Sequence, residues 1–122
     1  MIKFEVEYFE KQGGAIPVEE FILSQEKKMR MKIYRTLLLL EEFGNELREP
    51  YSKLIEEGIF ELRIKEGTHI SRVMYFFIKG RKIILTNGFV KKTQKTPRKE
   101  IELAKKHRME YENRRENSGE EF

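Results

Sequence analysis

The chain has 122 residues, 39% of them hydrophobic and 38% charged, with 25 Lys and Arg against 21 Asp and Glu for a net charge of +4. That length supports one hydrophobic core, and a single domain is expected over residues 1–116. With no Cys and only two well-separated His, disulfides, thiol nucleophiles, Cys-based zinc sites and His-spaced metal sites are all excluded, and no metal or cofactor is expected.

No apolar run approaches the roughly 20 residues of a membrane span. The opening M-I-K-F-E-V-E-Y is alternating and acidic, unlike a signal peptide, so a cytoplasmic protein with no membrane partner is expected. In that segment Ile2, Phe4, Val6 and Tyr8 alternate with Lys3, Glu5 and Glu7, the period of a strand with one wet face. Gly13-Gly14 breaks it, and Pro17 suits the first turn of a helix that carries Val18, Phe21 and Ile22. Met29, Ile33, Leu37, Leu40 and Phe43 recur at helical steps in a longer helix, which Gly44 is placed to end. Residues 24–28 form the joint, either of a helical hairpin or of one bent helix.

From Tyr51 the period changes to two. Lys53-Leu54-Ile55 and residues 59–65 flank a Glu56-Glu57-Gly58 turn, with Phe60, Leu62 and Ile64 on one face and Glu61, Arg63 and Lys65 on the other. Residues 70–78 are apolar on nearly both faces, which predicts a central strand, and Arg72 is its one strong charge. Lys79-Gly80-Arg81 turns the chain into residues 82–90, completing an antiparallel three-strand meander. Thr96-Pro97 predicts a helix start with a hydroxyl cap. The helix beyond has a modest face of Ile101, Ala104 and Tyr111, with Leu103 and Met109 off it, and is expected on the surface. Residues 117–122 are expected as a frayed tail. The predicted architecture is α+β.

The strand over residues 83–90 empties into Lys91, Lys92 and Lys95, followed by Arg98 and Lys99, with no acidic residue before Glu100. Cations fixed at a strand end suit a polyanion, above all a phosphate on which chemistry is done. The plainer reading is a solvated basic loop.

Three segments, K-L-I-E-E-G-I-F-E-L-R (residues 53–63), R-V-M-Y-F (72–76) and L-T-N-G-F-V-K-K-T-Q-K-T-P-R-K-E-I-E-L-A (85–104), resemble the RelE/ParE toxin superfamily, most closely its HigB-like, phage-derived branch. The resemblance implies a RelE-like fold and the toxin of a type II toxin–antitoxin pair. It further implies entry into the ribosome, cleavage of mRNA, and neutralisation by an antitoxin, in this branch commonly a helix-turn-helix, HigA-like protein. Two alternatives stand beside it: a ParE-like gyrase poison on the same fold, and an RNA-binding module without catalysis.

RNA cleavage without metal needs a proton acceptor for the 2′-OH, cations for the phosphate and an acid for the leaving 5′-oxygen. On the resemblance, Arg63, Arg72, Lys91 and Lys92 are the candidate catalytic residues. One of the two lysines would hold the phosphate or carry a proton after neighbouring cations lower its pKa. Lys53, Lys95, Arg98 and Lys99 would bind RNA backbone. Tyr111, the only late tyrosine, is the candidate proton carrier where relatives place a catalytic Tyr near the end of the chain. Against these stand ordinary readings: Arg63 paired with Glu61 or Glu66, Arg72 salt-bridged at the core, Tyr75 in the core, His69 exposed at a turn. The functional reading requires the arginines and the lysines after Val90 to share one phosphate-sized pocket and not to be neutralised by fixed internal carboxylates.

Overall fold

In the computed structural model, residues 3–119 are described. In chain order they form β1 (Glu5–Tyr8), α1 (Pro17–Leu23), α2 (Lys27–Phe43), β2 (Ser52–Glu56), β3 (Ile59–Glu66), β4 (His69–Ile78), β5 (Lys82–Val90) and α3 (Arg98–Asn117). The five strands make one sheet in the order β1-β5-β4-β3-β2. β1 runs parallel to β5, and every other neighbouring pair is antiparallel. The expected α+β architecture is therefore present, with the meander extended by β2 on one edge and β1 on the other.

Alternation divides the strand residues between two cores. Leu62, Ile64, Val73, Tyr75, Ile83 and Leu85 pack under α1 and α2, against Val18, Ile22, Met29, Ile33, Leu37 and Leu40. On the opposite face Ile59, Met74, Phe76 and Ile84 meet Phe9 and the α3 residues Ile101, Ala104 and Tyr111. Burying such a side chain fully is worth about 1.5–3 kcal/mol, which is why the period-two pattern sets the register so firmly.

α1 and α2 are separate helices, because Glu26 between them is extended (ψ 158°). Gly44 ends α2 at φ +52°, and a Cβ there would lie 2.0 Å from a ring carbon of Phe4. Phe43, expected on the buried face, is 40% exposed. The hairpin between β2 and β3 turns through Glu57 (φ 47°) and Gly58 (φ 78°), the two positive values of a tight hairpin turn.

Three further expectations change. α3 is anchored rather than superficial: Ile101, Ala104, His107 and Tyr111 are buried along one side of it. Thr96 does not cap it, since the helix starts after Pro97 with no side-chain cap bond. α3 also continues through Asn117, the first residue of the expected tail, and Ser118 follows as its C-cap. Of the remaining expected tail, residues 120–122 lie outside the described residues, as does Ile2 of the first strand.

Candidate functional site

α3 covers only part of its sheet face. Beyond its first turn the same face carries charge instead of apolar side chains. The β3–β4 register sets Arg63 directly opposite Arg72 on neighbouring strands. Like charges in that relation repel unless something lies between them. Glu61, only 1% exposed, supplies it. Its Oε1 accepts from Arg72 Nη1 and, at 3.3 Å, from Arg63 Nε. Its Oε2 accepts from the Thr96 hydroxyl at 2.5 Å. One carboxylate thus ties β3, β4 and the segment before α3 into a single unit. That bond also explains why Thr96 is not a helix cap.

The two arginines differ in what they leave available. Arg72 is 4% exposed, and its Nε has no hydrogen-bond partner among the described residues. Burial holds its guanidinium below the ordinary value, Glu61 pulls it back up, and Arg63 pushes it further down. Arg63 is partly exposed, and its Nη1 also reaches Glu49 at 3.4 Å. Arg72 is thus a buried partner of Glu61, whereas Arg63 presents part of its side chain to solvent. The plainer readings of both arginines, as ion-paired, hold for the contacts just described.

Lys91 continues the ladder one residue past β5, its N–H donating to Ile70 O at 2.8 Å. This keeps it on the face of Phe89, which pairs with Arg72. Burial lowers the Lys91 pKa, and the charges of Arg72, Arg63 and Lys53 lower it further against the pull of Glu61. Arg63, Arg72, Lys91 and Lys53 therefore form one electrostatic cluster, with the carboxylates of Glu61 and Glu49 too few to neutralise it. Lys92, one residue on, is exposed and makes no hydrogen bond or ion pair among the described residues.

Beside the cluster opens a cleft of about 700 Å³ whose lining includes Lys53, Arg63, Thr93, Lys95, Thr96 and Arg98. The Thr93 hydroxyl donates to Lys95 O at 2.8 Å and folds this loop on itself. Arg98 is spoken for: it grips Glu56 with two bonds, 3.1 and 2.5 Å, and lies 3.5 Å from Glu102. Its side chain is nonetheless 60% exposed and lines the cleft. Lys53, Lys95 and Lys99 are exposed without ion pairs among the described residues.

Tyr111 lies elsewhere. It packs edge-on against Phe76 at 5.9 Å, about 20 Å along the helix axis from Arg98. Burial and a hydrogen bond with Glu7 push its phenol up to about 12. Both position and proton affinity remove it from the cluster. Tyr75 is buried, as expected, with its hydroxyl on Ser52, and His69 is exposed. Among the described residues no group of three or more His, Cys, Asp or Glu is placed to hold a metal, and no helix is long and apolar enough to cross a membrane.

Two contributors were not singled out by sequence. Glu61 appeared only as a possible mate for Arg63. His107 is 2% exposed, stacks on Phe9 at 4.5 Å and bonds Thr86 O through Nδ1 at 3.0 Å. Its spacing from Ala104 and Tyr111 was the available signal.

No curated protein matches the chain. A family model described as Phage derived protein Gp49-like (DUF891) matches residues 20–109, a span that includes the cation cluster, the cleft and both sheet faces. The chain belongs to this Gp49-like family, a family of RelE-like toxins of toxin–antitoxin systems, and a cognate antitoxin is its implied partner.

Proposed function

We propose that the protein is a HigB-like toxin acting in the cytoplasm as a metal-independent, ribosome-dependent mRNA endoribonuclease, held in check by a helix-turn-helix antitoxin. The observation that carries this reading is Lys91, partly buried and within the field of Arg63, Arg72 and Lys53, of which Arg63 and Lys53 line an open cleft. An amine whose proton affinity is lowered by burial and neighbouring cations is a fitting acceptor for the ribose 2′-OH proton. The freed 2′-oxygen then bonds to the adjacent phosphorus as the bond to the 5′-oxygen breaks, and the departing 5′-oxygen takes a proton from water, so that a 2′,3′-cyclic phosphate and a 5′-OH result. Arg63 and Lys53 stand where the added negative charge on the phosphate develops, with Lys92, Lys95 and Lys99 available to the flanking backbone. Arg72 acts through Glu61 as a positioning residue.

The test is primer extension on a message translated in a bacterial cell-free system containing the purified chain. Codon-phased breaks are expected in the translated message and none in the same RNA kept from ribosomes. Lys91→Met should slow cutting by about 10²–10⁴-fold. Lys91→Arg, which keeps the charge but not the titratable amine, should bind RNA as before and cut slowly. Unbroken message, or undiminished cutting by Lys91→Met with Arg63→Ala, defeats the proposal. DNA damage without RNA breaks would indicate the gyrase-poison alternative. A second reading, RNA binding without cleavage, draws on Glu61, which engages both arginines; it predicts salt-sensitive binding and no breaks.

A further inference from the structure

The outer side of α2 carries a second apolar stripe that the fold does not use. Met31, Tyr34 and Leu38 are 46%, 40% and 65% exposed, whereas the core side of the same helix is Met29, Ile33, Leu37 and Leu40. Their spacing of three and four residues is that of a helix–helix seam. The charges along α2 are split by position: every cation from Lys27 to Arg35 precedes Thr36, and both carboxylates, Glu41 and Glu42, follow Leu40. Lys27, Arg35 and Glu42 are exposed, and their side chains have no hydrogen bond or ion pair among the described residues.

A helix with a basic first half, an acidic second half and an apolar middle is complementary to itself reversed. About a two-fold axis near Tyr34, Lys27 of one copy meets Glu42 of the other, Met31 meets Leu38, and Tyr34 meets Tyr34 and Arg35. Such self-complementarity is what an isologous interface requires. A uniformly acidic partner helix would instead meet Glu42 at one end, Glu41 being turned to β1, where its Oε2 accepts from Val6 N at 3.1 Å. We infer that the protein forms a two-fold dimer through antiparallel pairing of α2 with a second copy of this chain. α2 packs on the sheet face opposite the cation cluster, so both clusters remain open in the dimer. The 17-residue helix is about 25 Å long, a seam at the small end for a specific interface, which places Kd at about 1–100 μM.

Sedimentation velocity of the full chain over about 1–300 μM reads this directly. The species should shift from 14.8 kDa to twice that mass as concentration rises. Leu38→Lys should stay monomeric with an unchanged melting temperature, its side chain being largely outside the core. Lys27→Glu and Glu42→Lys should each raise Kd by about tenfold or more, since the contact occurs twice per interface. Mixing those two variants should recover a heterodimer, as each reversal then faces its opposite. A wild-type chain still at 14.8 kDa at the highest concentration overturns the inference, as does a dimer indifferent to these substitutions. If the wild type is monomeric and Leu38→Lys weakens the complex with the antitoxin, the stripe belongs to the antitoxin instead.

Discussion

Replacing Glu61 with Ala isolates the group on which the arrangement of the cationic face depends. The substitution leaves the Arg72 guanidinium, 4% exposed and already lacking a partner at Nε among the described residues, without its counter-charge. It also strips the Thr96 hydroxyl and Arg63 Nε of an acceptor. Removing one member of a buried ion pair typically costs about 3–5 kcal/mol, because the survivor stays desolvated. At this chain length 1 kcal/mol corresponds to about 3–5 °C, so the melting temperature should fall by about 10–20 °C. Circular dichroism with heating, supported by urea titration, measures it. The control is Glu61→Leu combined with Arg72→Met, which removes the desolvation cost of both charges and should return to within about 2 kcal/mol of wild type. The double variant should nonetheless lose RNA cleavage, since the loop through Thr96 is no longer tied to the sheet. A loss below about 0.5 kcal/mol in Glu61→Ala alone would refute the claim that Arg72 depends on this carboxylate.

Gly44→Ala should cost about 2–4 kcal/mol, since it combines a positive φ with a Cβ driven into the Phe4 ring. Measured again in a Phe4→Ala background, the steric part of that cost should vanish and the backbone part remain. Burial lowers the His107 pKa below its ordinary 6.5, only partly offset by its bond to Thr86. The unfolded chain therefore takes up a proton before the native state does, and stability should fall as pH drops from about 6.5 through the lower folded value. The slope from this one group is at most about 1.4 kcal/mol per pH unit. Urea melts between about pH 5 and 7 should show that limb flattened in His107→Gln.

The sheet was readable because its signal is local and repeated. Residues 59–65 alternate cleanly, the apolar run over 70–78 marks the central strand, and a short turn fixes how far one can slip past the other, so Arg63 opposite Arg72 follows once the turn at Gly67-Thr68 is recognised. What joins that pair is not local. Thr96 lies 35 positions from Glu61, and in sequence it looks like a helix cap because hydroxyl-proline pairs so often are. Arg98 reads as a free cation until the β2–β3 hairpin brings Glu56 to it. Tyr111 shows the limit most plainly. Helical spacing assigned it correctly to the buried side of α3, but spacing cannot say which end of a 20-residue helix lies over which part of the sheet.

Depth orders the cluster in a way that bears on how it meets an anion. Arg72 and Glu61 are internal, Arg63 and Lys91 are intermediate, and Lys53 is at the surface. The inner pair is already satisfied to the extent that Glu61 can manage, so an arriving phosphate need not break it. The phosphate meets Arg63, Lys91 and Lys53, whose positions are set by strands that the inner pair holds in register. Donors fixed before the charge arrives do not have to reorganise as it develops, and that is where electrostatic stabilisation of a phosphoryl transition state originates. Removing Glu61 would free two guanidinium groups and increase the net positive charge of the face. It should weaken catalysis all the same, because what the site needs from those charges is a fixed location more than a larger sum.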